Sequence, residues 1–78
     1  MYNSGMKKII VKQGVLAGKP IFEGTRIPVE LILEFLAEGA SIEFILKEYP
    51  SLTKKDVQHA IGYALTHLKE TRIYPVST

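Results

Sequence analysis

The sequence predicts a mainly α fold: a small three-helix domain with a helix-turn-helix and a short N-terminal β-arm or hairpin. Three observations lead there. Downstream of Pro28, apolar residues recur at spacings of three and four, the period of a helix with one buried face. Prolines, glycines and hydroxyl residues punctuate that pattern where helices start and stop. Upstream, two short runs with β-branched or aromatic centres are separated by glycines. A chain of 78 residues has material for one domain. The reading places it at residues 7–70, after a frayed start at 1–6 and before an extended tail at 71–78.

The elements follow in chain order. "KKIIVKQ" and "KPIFEG" read as a strand pair, with Gly14 and Gly18 between them. An isolated two-stranded pair is marginal in water. Its open edge would be satisfied by pairing with the same arm of a second copy. Ile9, Val11, Ile21 and Phe22 are therefore expected at a dimer or partner interface, with Ile73 and Tyr74 of the tail. The stretch "GKPIFEGTRIPV" then reads as hinge and anchor. Gly24 permits a tight bend, and Thr25 can hydrogen-bond to local backbone. Arg26 has two readings. One is a fork tying carbonyls or a glutamate to the hinge; the other is a phosphate or partner contact.

Pro28 is expected to open the first helix, where its missing N–H costs nothing. Val29, Ile32, Leu33 and Leu36 form its buried stripe, widened by Leu31 and Phe35. Glu30, Glu34 and Glu38 form an acidic ridge, and Gly39 supplies the left-handed cap. Ser41 caps the second helix, whose buried face is Ile42, Ile45, Leu46 and Tyr49; Pro50 stops it. In the third helix Thr53 and Asp56 form a capping box and Leu52 with Val57 a hydrophobic staple. Val57, Ala60, Ile61, Ala64, Leu65 and Leu68 continue as its apolar stripe.

Composition narrows the function. The chain is 46% hydrophobic and 23% charged, which is globular. It has no cysteine, so disulfides and thiolate zinc sites are excluded. His59 and His67 are too few for a structural metal site, and no metal or other cofactor is expected. A domain this short rarely draws more than ~3–5 kcal/mol from its core, so a dimer or complex is the expected folding unit. No segment resembles a membrane span or signal peptide, and a cytoplasmic location is the default. The net charge of +2 is unevenly spread. Lysine and arginine prevail at both ends, while residues 28–50 hold five glutamates against Lys47. That asymmetry lets one face meet an anion, although solvated surface charge explains it equally well.

The chemistry-bearing patterns are few. Two helices joined by "YPSL" suggest a helix-turn-helix, in which the second helix offers its exposed N-terminal residues to the major groove. Removing the apolar stripe leaves Lys54, Lys55, Gln58, His59 and Gly62 facing outward. Lysines suit phosphates, and amide and imidazole groups suit base edges. Many small helical domains contain such a pair and touch no nucleic acid, so a protein-interaction module of the same shape is the alternative. "GVLAGKP" is not a P-loop: it has three residues between its glycines where four are needed, and Pro20 where a hydroxyl is needed. His67 and Glu70 lie one turn apart, as do the ridge glutamates. Such pairs are usually solvated, and a metal-dependent enzyme using His59, His67 and Glu70 is the weakest option. No catalytic residues, and no enzyme, are expected.

A resemblance adds to this. G-K-P at Gly18–Pro20, G-T-R-I-P-V at Gly24–Val29, Gly39 before Ser41–Leu46, Y-P-x-L-T at Tyr49–Thr53 and Y-A at Tyr63–Ala64 resemble a small prokaryotic family, domain of unknown function 433. The likeness runs from about Lys12 to Ala64. It implies a homeodomain-like helix-turn-helix and an antitoxin of a type II toxin–antitoxin pair, similar to the VapB class. The implied partners are operator DNA and a PIN-like ribonuclease toxin, with Glu70 to Thr78 as the stretch left for neutralising it.

Overall fold

The computed structural model describes residues 6–71. Two antiparallel strands, β1 (Ile9–Val11) and β2 (Pro20–Phe22), precede three helices: α1 (Val29–Ala37), α2 (Ile42–Glu48) and α3 (Lys54–Thr71). Ile9 pairs with Phe22, Ile10 with Ile21 and Val11 with Pro20. The connection between the strands contains a short 3-10 turn, Leu16–Gly18, absent from the sequence reading. Leu16 and Ala17 both lie at positive φ, 50° and 57°, a conformation that costs a residue with a Cβ and gives sequence patterns nothing to recognise.

The hinge is built from backbone and one hydroxyl. Gly24 sits at φ +83° and reverses the chain after β2. The Thr25 Oγ1 donates to the Phe22 carbonyl at 2.7 Å and accepts from the Ile27 N–H at 3.0 Å. The loop then returns along β2: the Phe22 N–H donates to the Ile27 carbonyl, and Pro28 bridges Ile21. Pro28 is therefore not the first helical residue. It is extended at φ −72°, ψ 142° and stands at the N-cap, leaving Val29 to open α1. A proline suits both positions, and the pairing with Ile21 selects the earlier one.

Both helix connections follow the expected capping chemistry. Gly39 at φ +93° closes α1, with the Gly39 N–H on the Leu36 carbonyl and the Ala40 N–H on the Phe35 carbonyl, a Schellman motif. The Ser41 hydroxyl accepts from the Phe44 N–H at 3.0 Å. Thr53 and Asp56 cap α3 reciprocally. The Thr53 N–H donates to Asp56 Oδ2 at 2.9 Å, and the Asp56 N–H to Thr53 Oγ1 at 3.2 Å.

Every element except β1 supplies the core: Phe22, Val29, Ile32, Ile45, Leu52, Val57 and Ala60 are buried together. Two expectations fail here. Ile21 and Phe22 are 2% and 0% exposed, so their side chains fill their own subunit and offer nothing to a partner. Of the arm residues expected at an interface, Ile9 packs against the same core and Val11 stands exposed; Ile73 and Tyr74 lie outside the described residues. The α3 stripe also divides. Val57 and Ala60 are buried and Tyr63 packs against the same core, but Ile61, Leu65 and Leu68 are open, because they lie on the side of α3 turned away from it.

Asp56 is the buried polar residue, 0% exposed, and it is fully satisfied. Besides the Thr53 N–H, it accepts the Lys7 backbone N–H at 2.6 Å and lies 3.4 Å from Lys7 Nζ. That ammonium also reaches the Ser51 carbonyl. Burial pushes the Asp56 carboxyl up. The N–H groups of Lys7 and Thr53, with the Lys7 charge, outweigh it and hold the group below its ordinary value.

Two predictions follow from this core. Phe22→Ala removes the largest fully buried side chain. It should cost about 3–5 kcal/mol, comparable with the whole stability of a domain this size, and abolish the cooperative urea transition. Asp56 has a lower folded than unfolded pKa, so its contribution is full above roughly pH 4 and is lost as pH falls through the folded value. Asp56→Asn should cost about 1.5–3 kcal/mol at neutral pH. The gap to wild type, measured by urea titration, should narrow in acid; a gap constant with pH would refute the assignment.

Candidate nucleic-acid interface

The first two turns of α3 are held from three sides. The capping box fixes the N-terminus, Val57 and Ala60 enter the core, and Lys7 pins Asp56 from the N-terminal strand segment. What remains outward is Lys54, Lys55 and Gln58, all exposed. Neither lysine pairs with a carboxylate; among the described residues the ion pairs are Lys7–Asp56 and Lys19–Glu30. The unneutralised ammonium groups stand at the positive end of the helix dipole, which raises the local attraction for an anion.

His59 does not join them freely. Its Nδ1 lies 3.1 Å from the Lys7 carbonyl, and a carbonyl can only accept, so Nδ1 carries the proton. The ring is half-buried and tied to the segment that leads into β1, leaving Nε2 free of that bond. The expectation of an unrestrained base-reading histidine is corrected to that extent. The α3 spacing put His59 on the outer side, whereas it is half-buried; the Lys7 carbonyl comes from a segment 52 residues away and leaves no local signal.

Arg26 is elsewhere. It lines a recess of 330 Å³ on the hairpin with Ile10, Lys12, Val15, Ile21, Gly24 and Thr25, and no residue of α3 borders it. Arg26 makes no hydrogen bond or ion pair with another described residue, so the expected fork is not seen among them. Lys19 takes that part: its Nζ lies 2.9 Å from Glu30 Oε1. The hydrogen bond to Glu30, then the Glu30 charge, raise the Lys19 pKa above its ordinary value. The pair is open to solvent and carries little energy.

The other candidate chemistry does not assemble. Among the described residues no group of three or more His, Cys, Asp or Glu side chains could hold a metal ion. His67 lies against Tyr63 with ring centroids 4.3 Å apart, about two turns of α3 beyond His59. No helix among the described residues is long and apolar enough to cross a membrane.

Comparison with known proteins agrees with the motif resemblance. A DUF433 member protein from Anabaena variabilis ATCC 29413, solved by crystallography, is 31% identical with a TM-score of 0.73, over 80% of this chain and 61% of that one. The uncharacterized protein y4eO of Sinorhizobium fredii (strain NBRC 101917 / NGR234) is 38% identical over 50 residues, which are 64% of this chain and 23% of that protein. The chain thus spans less than two thirds of the solved relative and about a quarter of the curated one. Residues 9–64 match the family described as protein of unknown function, DUF433. Hairpin, hinge and all three helices begin inside that match, and the chain belongs to the DUF433 family.

Proposed function

We propose that this chain is a DNA-binding regulator of the antitoxin type, using the N-terminal turns of α3 as its contact surface. One observation carries the reading: Lys54, Lys55 and Gln58 are exposed, and the lysines have no ion-pair partner among the described residues, on a helix end fixed by its capping box. Lysines placed this way meet phosphates and set register, while Gln58 reaches the base edges. His59 Nε2 can contribute from its restrained position. Arg26 and Lys12, on the hairpin recess, serve a separate contact. A dimer is the expected binding form, and by family resemblance its protein partner is a PIN-like ribonuclease.

A second reading, a protein-interaction module that touches no nucleic acid, is favoured by the apolar side chains left open on the second half of α3. Charge reversal separates the two. Lys54→Glu with Lys55→Glu should abolish a gel shift on the DNA upstream of the coding region, with the fold unchanged by circular dichroism. Each lysine removed singly, as alanine, should lower the slope of log K against log salt by ~0.9 per lost phosphate contact. Equal binding by wild type and charge-reversed protein would exclude DNA recognition by α3. Retention of a co-expressed PIN-like nuclease by the charge-reversed protein would show that the toxin-binding surface is distinct.

A further inference from the structure

The second half of α3 presents an apolar face that no described residue covers. Ile61, Leu65 and Leu68 are 46%, 52% and 57% exposed, and spacings of four and three put them on one line along the helix. The last fully buried residue of α3 is Ala60; beyond it Tyr63 still packs against the core, while Ile61, Leu65 and Leu68 on the opposite side of the helix stay exposed. Gly62 adds a second observation. Glycine is among the poorest residues inside a helix, yet Gly62 is not at positive φ, and a Cβ there would meet nothing within 4 Å. Neither backbone geometry nor packing in the subunit explains it. A missing side chain on a helix surface admits the close approach of another backbone.

We propose that this face pairs two copies of the chain, with the helices antiparallel and the two-fold axis at Leu65. The face is self-complementary in that register. Gly62 and Leu68 stand three residues to either side of Leu65, so each Leu68 enters the notch left by Gly62 of the other copy. Leu65 meets its own counterpart on the axis. Charge selects the same orientation. Antiparallel pairing sets Lys69 opposite Ile61, whereas parallel pairing would set Lys69 against Lys69, a repulsive contact. The paired length from Ile61 to Lys69 is about 12 Å of helix, which places the buried area at the low end of specific interfaces, below ~1,200 Å². Such a dimer exchanges reversibly at micromolar concentration. The β-arm is the poorer surface, because Ile21 and Phe22 are already committed to the core.

This geometry deepens the nucleic-acid reading and, in this one respect, rests on it. With a rise of 1.5 Å per residue, the two Lys54 positions fall roughly 33 Å apart along the paired helices, close to the ~34–36 Å between successive major-groove faces. The pairing itself needs no DNA, and it is tested without it.

Sedimentation velocity of the full chain across a micromolar concentration series should show a reversible monomer–dimer equilibrium. Leu65→Glu should weaken it by roughly tenfold or more, as a charge buried at the centre of an apolar contact does. Gly62→Leu should weaken it as strongly, although its side chain enters open space in the subunit and helix content does not fall. That variant keeps the test decisive if Leu65→Glu misfolds. Because the chain has no cysteine, a single Leu65→Cys variant should be joined between copies by a short bis-maleimide, and a Val11→Cys variant should not. A monomer at every concentration would overturn the proposal. So would a dimer that survives Gly62→Leu, or one cross-linked at Val11 alone. A failed gel shift with an intact dimer would count against the DNA reading only.

Discussion

The Asp56 carboxylate joins the two ends of this fold. It receives the N–H of Thr53, which caps α3, and the N–H of Lys7, which leads into β1. A buried carboxylate without such donors would cost more than the domain can supply. With them it becomes a fixed joint between segments 49 residues apart. The Lys7 ammonium completes the joint, spanning Asp56 and the Ser51 carbonyl, while the Lys7 carbonyl holds His59. One residue thus uses its donor, its acceptor and its charge to lock the hairpin against the start of α3.

That lock explains why a two-stranded sheet can persist. The pair is too small to stand alone in water. It survives because Phe22 is sunk among α1, α2 and α3, and because residues 27 and 28 pair with the other side of β2. The hairpin is consequently anchored in the core through Phe22. The same burial removes Ile21 and Phe22 from any interface and shifts attention to surfaces that the subunit leaves uncovered.

α3 then has two halves with different surroundings. Its first turns are clamped by the capping box and the core, and they show lysines to solvent. Its later turns keep Tyr63 against the core and show leucine and isoleucine on the opposite side. A rigid end bearing unpaired cations suits a polyanion, and an uncovered apolar end suits a second helix. The proposed operator contact and the proposed dimer contact are the two consequences of that division, carried by one continuous helix.

Local chemistry was legible in the sequence because it is local. The capping box at Thr53 and Asp56, the Ser41 cap, the Gly39 stop and the Thr25 hinge all close within a few residues, so spacing alone fixes their partners. The helical period located α1, α2 and α3 for the same reason, and with them the exposed lysines of the candidate site. Periodicity marks which face is apolar, but not whether anything lies against it. Only the tertiary structure decided that Val57 and Ala60 are covered while Ile61, Leu65 and Leu68 are not, because coverage depends on which side of α3 is turned to the core. It alone paired Lys7 with Asp56 and His59, left Arg26 without a partner among the described residues and moved Phe22 from interface to core. Those outcomes depend on distances between remote segments, which a linear pattern does not encode.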